Sequence, residues 1–229
     1  MSSLGICQFY CLSFNDEEKR NKMINRFRTL NIDCNFYNGV QYTDQRINEK
    51  LTKYNKRHRS IIYGHLDILY EFYHNSNKNY AVICEDDICI HEKFNENFKK
   101  VINDFRFLHL DILLLSYMIP YKIGNDNIYS NFKLKAEMPK TSFFKYHEYP
   151  EYLSGTQMYL ISKNFAKDLL DNYYSEYISI FENDFIADKI IIKQGNRALI
   201  YPMLAIEDKN QTDLYHQLCH KIHYNEIYI

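Results

Sequence analysis

The sequence predicts a single α/β domain with a mostly parallel central sheet flanked by helices. Three observations predict it. Short apolar runs rich in β-formers alternate with longer stretches of helical period, the pattern of strand–helix–strand units. The chain has 229 residues, enough to bury one full core, and no internal repeat or linker divides it. Gly and Pro are scarce, at six and four, so a collagen-like segment or a glycine-rich nucleotide loop does not fit. One domain over residues 1–229 is therefore expected.

Each element follows from local pattern. Ile6 to Phe14 is a short apolar strand closed by Asn15-Asp16. Asp16 is placed to N-cap a helix from about Glu17, with Met23, Phe27 and Leu30 on one face and Ile24 beside them. Cys34 to Tyr37 is a second strand, ended by Asn38-Gly39. Residues 41–59 are polar and charged and read as a loop with a short helix. Ile61, His65, Leu66, Leu69, Phe72 and Tyr73 mark an amphipathic helix ending near His74-Asn75. Tyr80 to Cys84 is a continuous apolar run, hence a buried strand. A helix is expected over Lys93 to Phe105 and a strand over Asp111 to Ser116. Residues 117–150 show no clean period and read as loops with short strands. Gln157 to Ile161 is a strand, Asn164 to Tyr173 a helix, and Ile186, Ile190 and Ile191 suggest a helix after Asp184. Ala198 to Tyr201 is a last strand before Pro202.

Composition excludes several functions. Lys and Arg total 28 against 29 Asp and Glu, net −1, so a nucleic-acid binder working by bulk electrostatics is excluded. No run reaches the roughly 18 apolar residues of a membrane span. The first residues lack the basic and apolar regions of a secretion signal. The six cysteines follow no disulfide-framework spacing and read as free thiols in a reducing compartment. No Gly-x-Ser-x-Gly or P-loop pattern occurs.

The chemistry concentrates at Glu85-Asp86-Asp87, directly after the Tyr80–Cys84 run. Ligands of open α/β sheets bind at the carboxyl ends of strands. Grouped carboxylates are costly in a low dielectric unless a cation balances them, and oxygen ligands suit Mg²⁺ or Mn²⁺. The alternative is a solvated acidic turn that caps the next helix.

Tyr80 to Ile88 resembles the strand-plus-EDD motif of glycosyltransferase family 25, which includes bacterial lipooligosaccharide galactosyltransferases and procollagen galactosyltransferases. Further segments match in order: Phe9 to Ser13 with Arg20 and Met23, Gly64-His65-Leu66, Asp111 to Leu115, Ser154 to Ser162 with Ala166 and Leu169-Leu170, Asn183-Asp184-Phe185 against a V-D-x-x-L segment, and Tyr201 to Ala205 followed by Asp213. Gly64 stands where the family has Ser. Asn183 replaces an apolar residue, and Glu207 and Asp208 stand where a Gln-type residue is usual.

The resemblance implies a GT-A, Rossmann-like domain that moves a sugar from a nucleotide sugar, a UDP-hexose, to a hydroxyl of a glycan or glycoprotein. It implies Mn²⁺ or Mg²⁺ as cofactor, with Glu85 and Asp87 as ligands. Asp86 would contact the donor, though Asp86 with Asp87 is the alternative pair. Asp208 or Asp213 would complete the metal site; a solvated acidic loop is the other reading there. Inversion needs a base, for which Asp184 is first and Glu182 second; Asp184 otherwise reads as a helix N-cap. Ser13, Phe14, Asn15 and Arg20 would hold the nucleotide, with His65 nearby.

A cytoplasmic setting, bacterial or in the host of a large DNA virus, fits a glycan-decorating chain without a signal, and virion association and a homodimer stay open. The competing function is a catalytically idle relative that binds or scaffolds. Other constellations carry less. Lys56-Arg57-His58-Arg59 reads as a solvated charged face that could approach phosphates. His216, Cys219, His220 and His223 share one face of a helix, but one helix rarely closes a zinc tetrahedron. The aromatic stretch Phe143 to Tyr149 is a candidate acceptor loop.

Overall fold

A computed structural model describes residues 3–47, 51–119, 133–136, 138, 142–149, 153–174, 185–208 and 214–224. Nine strands and six α-helices are formed among them. In chain order they are β1 (Cys7–Ser13), α1 (Glu17–Thr29), β2 (Cys34–Asn38), α2 (Lys53–Asn75), β3 (Tyr80–Glu85), β4 (Ile88–Ile90) and α3 (Phe94–Phe107). There follow β5 (Ile112–Met118), β6 (Lys145–His147), β7 (Ser154–Ser162), α4 (Lys163–Tyr173), α5 (Ala187–Ile190), β8 (Arg197–Tyr201), β9 (Ala205–Glu207) and α6 (Leu214–Ile222).

Seven strands make one sheet in the order β2-β1-β3-β7-β5-β8-β6. Five of them point the same way, while β7 and β6 run against their neighbours. The central strands are apolar on both faces because helices cover both. Tyr10, Leu12, Ile83, Leu114 and Tyr159 pack with Leu66, Phe72 and Leu169 of α2 and α4. Their strand neighbours Phe9, Cys11, Val82, Leu113 and Met158 pack with Phe27 of α1 and Phe98 of α3. This two-residue alternation is what lets continuous apolar runs serve two cores.

Local signals set most helix starts. Asp16 accepts from the Lys19 amide at 3.0 Å, as expected of the N-cap. Ser162 caps α4 through the Phe165 amide. The start of α2 differs from expectation: one continuous helix begins at Lys53, capped by Thr52, within the segment read as a loop with a short helix. Its first turns lack an apolar stripe because their inward face is polar. Arg59 is buried with its guanidinium 4.5 Å from the Phe185 ring centroid, and Ser60 donates to the Val40 carbonyl.

Two further differences concern short strands. β4 and β9 pair antiparallel as a separate ribbon, Ile88 opposite Glu207 and Ile90 opposite Ala205. Three residues are too few to show a period. The aromatic stretch at 143–149 supplies β6, the edge strand farthest from β2. Phe144 and Tyr146 are core residues there, and the Tyr146 hydroxyl donates to Asp104 at 2.7 Å. That burial takes these rings away from acceptor recognition. All six thiols are free. Among the described residues no helix is long and apolar enough to cross a membrane.

Candidate active site

Parallel pairing places Leu12 of β1 beside Glu85 of β3, so both strands deliver their carboxyl ends to one place. Beyond them the chain turns through Asp86 and Asp87 into β4. The turn is held from below by β9, whose following residue Asp208 donates its amide to the Asp87 carbonyl at 2.6 Å.

Each carboxylate has its own partners. Ser13 donates its hydroxyl to Asp86 Oδ2 at 2.7 Å. Burial raises the Asp86 pKa, against the lowering effects of Ser13 and Lys19. Lys19 Nζ, from the first turn of α1, lies 3.3 Å from Asp87 Oδ2 and 4.0 Å from Asp86 Oδ1. Burial works against the lysine's charge, but Asp87 and Asp86 outweigh it and its pKa is raised. Asp87 is pushed up to about 6, by burial first and then by the charge of Glu85.

Glu85 behaves oppositely. Burial would raise it, yet hydrogen bonding and charge from His65, then Thr156, leave its pKa lowered. Thr156 Oγ1 donates to Glu85 Oε1 at 2.7 Å, and His65 Nε2 lies 3.5 Å from the same oxygen. His65 is wholly buried, its Nδ1 3.0 Å from the Tyr159 hydroxyl. It therefore stands behind Glu85 as a support, not in the open site where a donor would meet it.

The expected donor residues divide into two groups. Ser13 and Phe14 do reach the acidic turn's flank. Phe14 is part-exposed and stacks on Tyr42 with centroids 5.5 Å apart, and Asn15 pairs its amide with Gln41. Gly39 makes this shelf possible, since a Cβ there would lie 2.5 Å from Phe14 Cδ2. Arg20 points elsewhere, donating to Asn38 Oδ1 at 2.8 Å and covering the Phe36 ring.

A cavity of about 210 Å³ joins these parts, lined by Phe14, Tyr42, Arg57 and Glu85 to Asp87 among others. A second cavity, about 310 Å³, lies on the α1 side with Lys19, Arg26, Asp86, Asp87 and Asp208. Asp208 thus shares a cavity with the acidic turn, but its carboxylate is held by Arg26 at 2.6 Å. Among the described residues no group of three or more His, Cys, Asp or Glu side chains is arranged to hold a metal ion. The histidine face of α6 serves a carboxylate: His216 Nδ1 and His220 Nε2 meet Glu207 Oε2 at 2.7 and 2.9 Å.

Glu182, Asp184 and Asp213 lie outside the described residues. The N-cap position of α5 is Ile186. Sequence reasoning missed Lys19, Tyr42 and Asp188. Asp188 Oδ1 accepts from the Gly155 amide at 2.7 Å; burial raises its pKa, Gly155 lowers it and Glu85 raises it. A signal existed for it: Ala187-Asp188-Lys189-Ile190-Ile191 is apolar–Asp–x–x–apolar, four residues beyond the segment first matched to that pattern.

A carboxylate cluster thus stands at the strand ends of a two-faced α/β sheet, beside an aromatic shelf and an arginine, where ligands of such sheets bind. The family model described as "Glycosyltransferase family 25 (LPS biosynthesis protein)" matches residues 7–191, and the chain belongs to that family. No curated protein matches the sequence. Among solved structures, A197 from STIV shares 10% identity over 90% of this chain and 96% of its own, with a TM-score of 0.46. A glycosyltransferase involved in glycosylation of the major capsid of PBCV-1 shares 10% over 95% and 99%, TM-score 0.39. HddC from Yersinia pseudotuberculosis shares 13% over 95% and 79%, TM-score 0.37.

Proposed function

We propose that the chain transfers a hexose from a UDP-sugar to a hydroxyl of a glycan or glycoprotein, with inversion and with Mn²⁺ or Mg²⁺. The observation that carries this is the acidic turn, three consecutive carboxylates opening on the cavity that also holds Phe14, Tyr42 and Arg57.

The residues fit a hard divalent ion. Their donors are carboxylate oxygens, and Asp87 is held near 6 by burial and by the charge of Glu85, a repulsion that a cation relieves. Two carboxylates suffice when substrate phosphates supply the remaining ligands. Glu85 and Asp87 would hold the ion, with Asp208 beside them, and a bound ion neutralises charge on the departing diphosphate. Asp86, fixed by Ser13, would contact the donor. Thr156 and His65 keep Glu85 ionised and oriented. Phe14 and Tyr42 offer a flat face for the nucleobase, and Arg57 a charge for the phosphates.

The test is thermal unfolding with UDP-galactose or UDP-glucose and Mn²⁺. At one hundred times Kd, stabilisation of about 2.7 kcal/mol is expected. EDTA and Asp87→Ala should abolish it. If neither donor stabilises the wild-type chain in the presence of Mn²⁺, the reading fails.

A further inference from the structure

Because β7 runs antiparallel to β3, its first residues lie at the carboxyl end of β3. Two successive residues there each hold an acid. Thr156 donates its hydroxyl to Glu85 Oε1 at 2.7 Å, and Gly155 donates its amide to Asp188 Oδ1 at 2.7 Å. Asp188 is thereby tied to the flank of Glu85 that faces α2 and β7. Asp86 and Asp87 occupy the other flank, against Ser13 and Lys19.

The position is built, not incidental. Gly155 has φ of +121°, a region costly for any residue with a side chain. Only glycine leaves that amide facing Asp188. The carboxylate itself rides on α5, which packs against α2 and β7 through buried Ala187 and Ile190. One oxygen, Oδ1, is fixed by Gly155.

We propose that Asp188 is the catalytic base of sugar transfer, its Oδ2 taking the proton from the acceptor hydroxyl. The inference rests on the sugar-transfer reading above. In the step, the acceptor O–H bond breaks and its proton passes to Asp188. The acceptor oxygen forms a bond to the anomeric carbon. The bond from that carbon to the phosphate oxygen breaks, and its electron pair leaves with UDP. A carboxylate on the flank away from Lys19 can meet the acceptor without competing for the diphosphate.

The test uses the full chain, UDP-galactose and UDP-glucose, Mn²⁺, and water or azide as acceptor. Asp188→Asn keeps the oxygen that Gly155 needs and removes the base. Donor hydrolysis should fall at least about 100-fold while donor affinity stays within about twofold. In Asp188→Ala, azide should restore turnover as glycosyl azide, because azide attacks without giving up a proton. A purely structural role would not respond to azide. Hydrolysis by Asp188→Asn within about threefold of wild type overturns the assignment. So does donor binding lost together with turnover, or Asp188→Ala that binds donor and ignores azide. A wild-type chain that binds neither donor overturns this proposal and the function reading together.

Discussion

Gly64 lies inside α2 and buried, where a residue with a side chain would ordinarily serve the helix better. The expected benefit of Gly64→Ala from helix propensity alone is about 1 kcal/mol. The structure argues for the opposite sign. A Cβ at position 64 would lie 2.8 Å from Leu12 Cδ1 and 3.1 Å from Cδ2, and Leu12 is itself buried. Overpacking of this kind costs about 1–3 kcal/mol, so a net loss of about 1 kcal/mol is expected. Shortening Leu12 should reverse it. In a Leu12→Ala background, Gly64→Ala should stabilise by about 1 kcal/mol, giving a coupling near 2 kcal/mol. Urea midpoints at constant m-value for the four proteins measure this. Gly64→Ala that stabilises the wild-type background would refute the packing argument. It would also remove the explanation for glycine at the family's serine position, which is that Leu12 fills the space. The stakes reach the site, since the next residue is His65 and its ring lies 3.5 Å from Glu85.

Three other expectations follow from single contacts. Thr156→Val deletes the hydroxyl on Glu85 and should cost about 1.5–3 kcal/mol in urea unfolding, with Thr156→Ser largely restoring it. His223, buried against Ile119, has its pKa lowered from 6.5 to about 4, by burial first. The unfolded chain takes up that proton sooner as pH falls, so stability is intact above 6.5 and should decline by about 3 kcal/mol toward pH 4. His223→Gln should flatten that part of a pH series of urea midpoints, and an unchanged slope would count against it. Lys19→Met removes the cation from Asp86 and Asp87 and should tighten Mn²⁺ binding by up to about fivefold, read by titration. Weaker Mn²⁺ binding would show that Lys19 does not compete for these carboxylates.

The fold was legible where period and length were long. The double-faced strands β1, β3 and β5 read as apolar runs, and Asp16 announced α1. The first turns of α2 escaped because Arg59 and Ser60 face inward in place of apolar residues. β4 and β9 escaped because pairing, not pattern, makes a three-residue strand. The acidic turn was visible in the sequence as a motif at a strand end. Its partners were not. Lys19 reads as one more surface lysine until α1 is docked on the sheet. Thr156 reads as a strand threonine until β7 is known to run antiparallel to β3. The aromatic stretch at 143–149 divides in a way composition does not show, since the edge strand buries Phe144 and Tyr146 and leaves Phe143 exposed.

The partners of the acidic turn come from far along the chain. Ser13 is 73 residues from Asp86, Lys19 is 68 from Asp87 and Thr156 is 71 from Glu85. Arg26 and Asp208 are 182 apart. Contacts of such separation form after long loops have closed. A nascent or half-folded chain therefore carries the three carboxylates without the site, solvated and at ordinary pKa values. Competence to bind a ligand arrives only when the last strands dock, which makes that binding a gauge of complete folding in any variant of this protein.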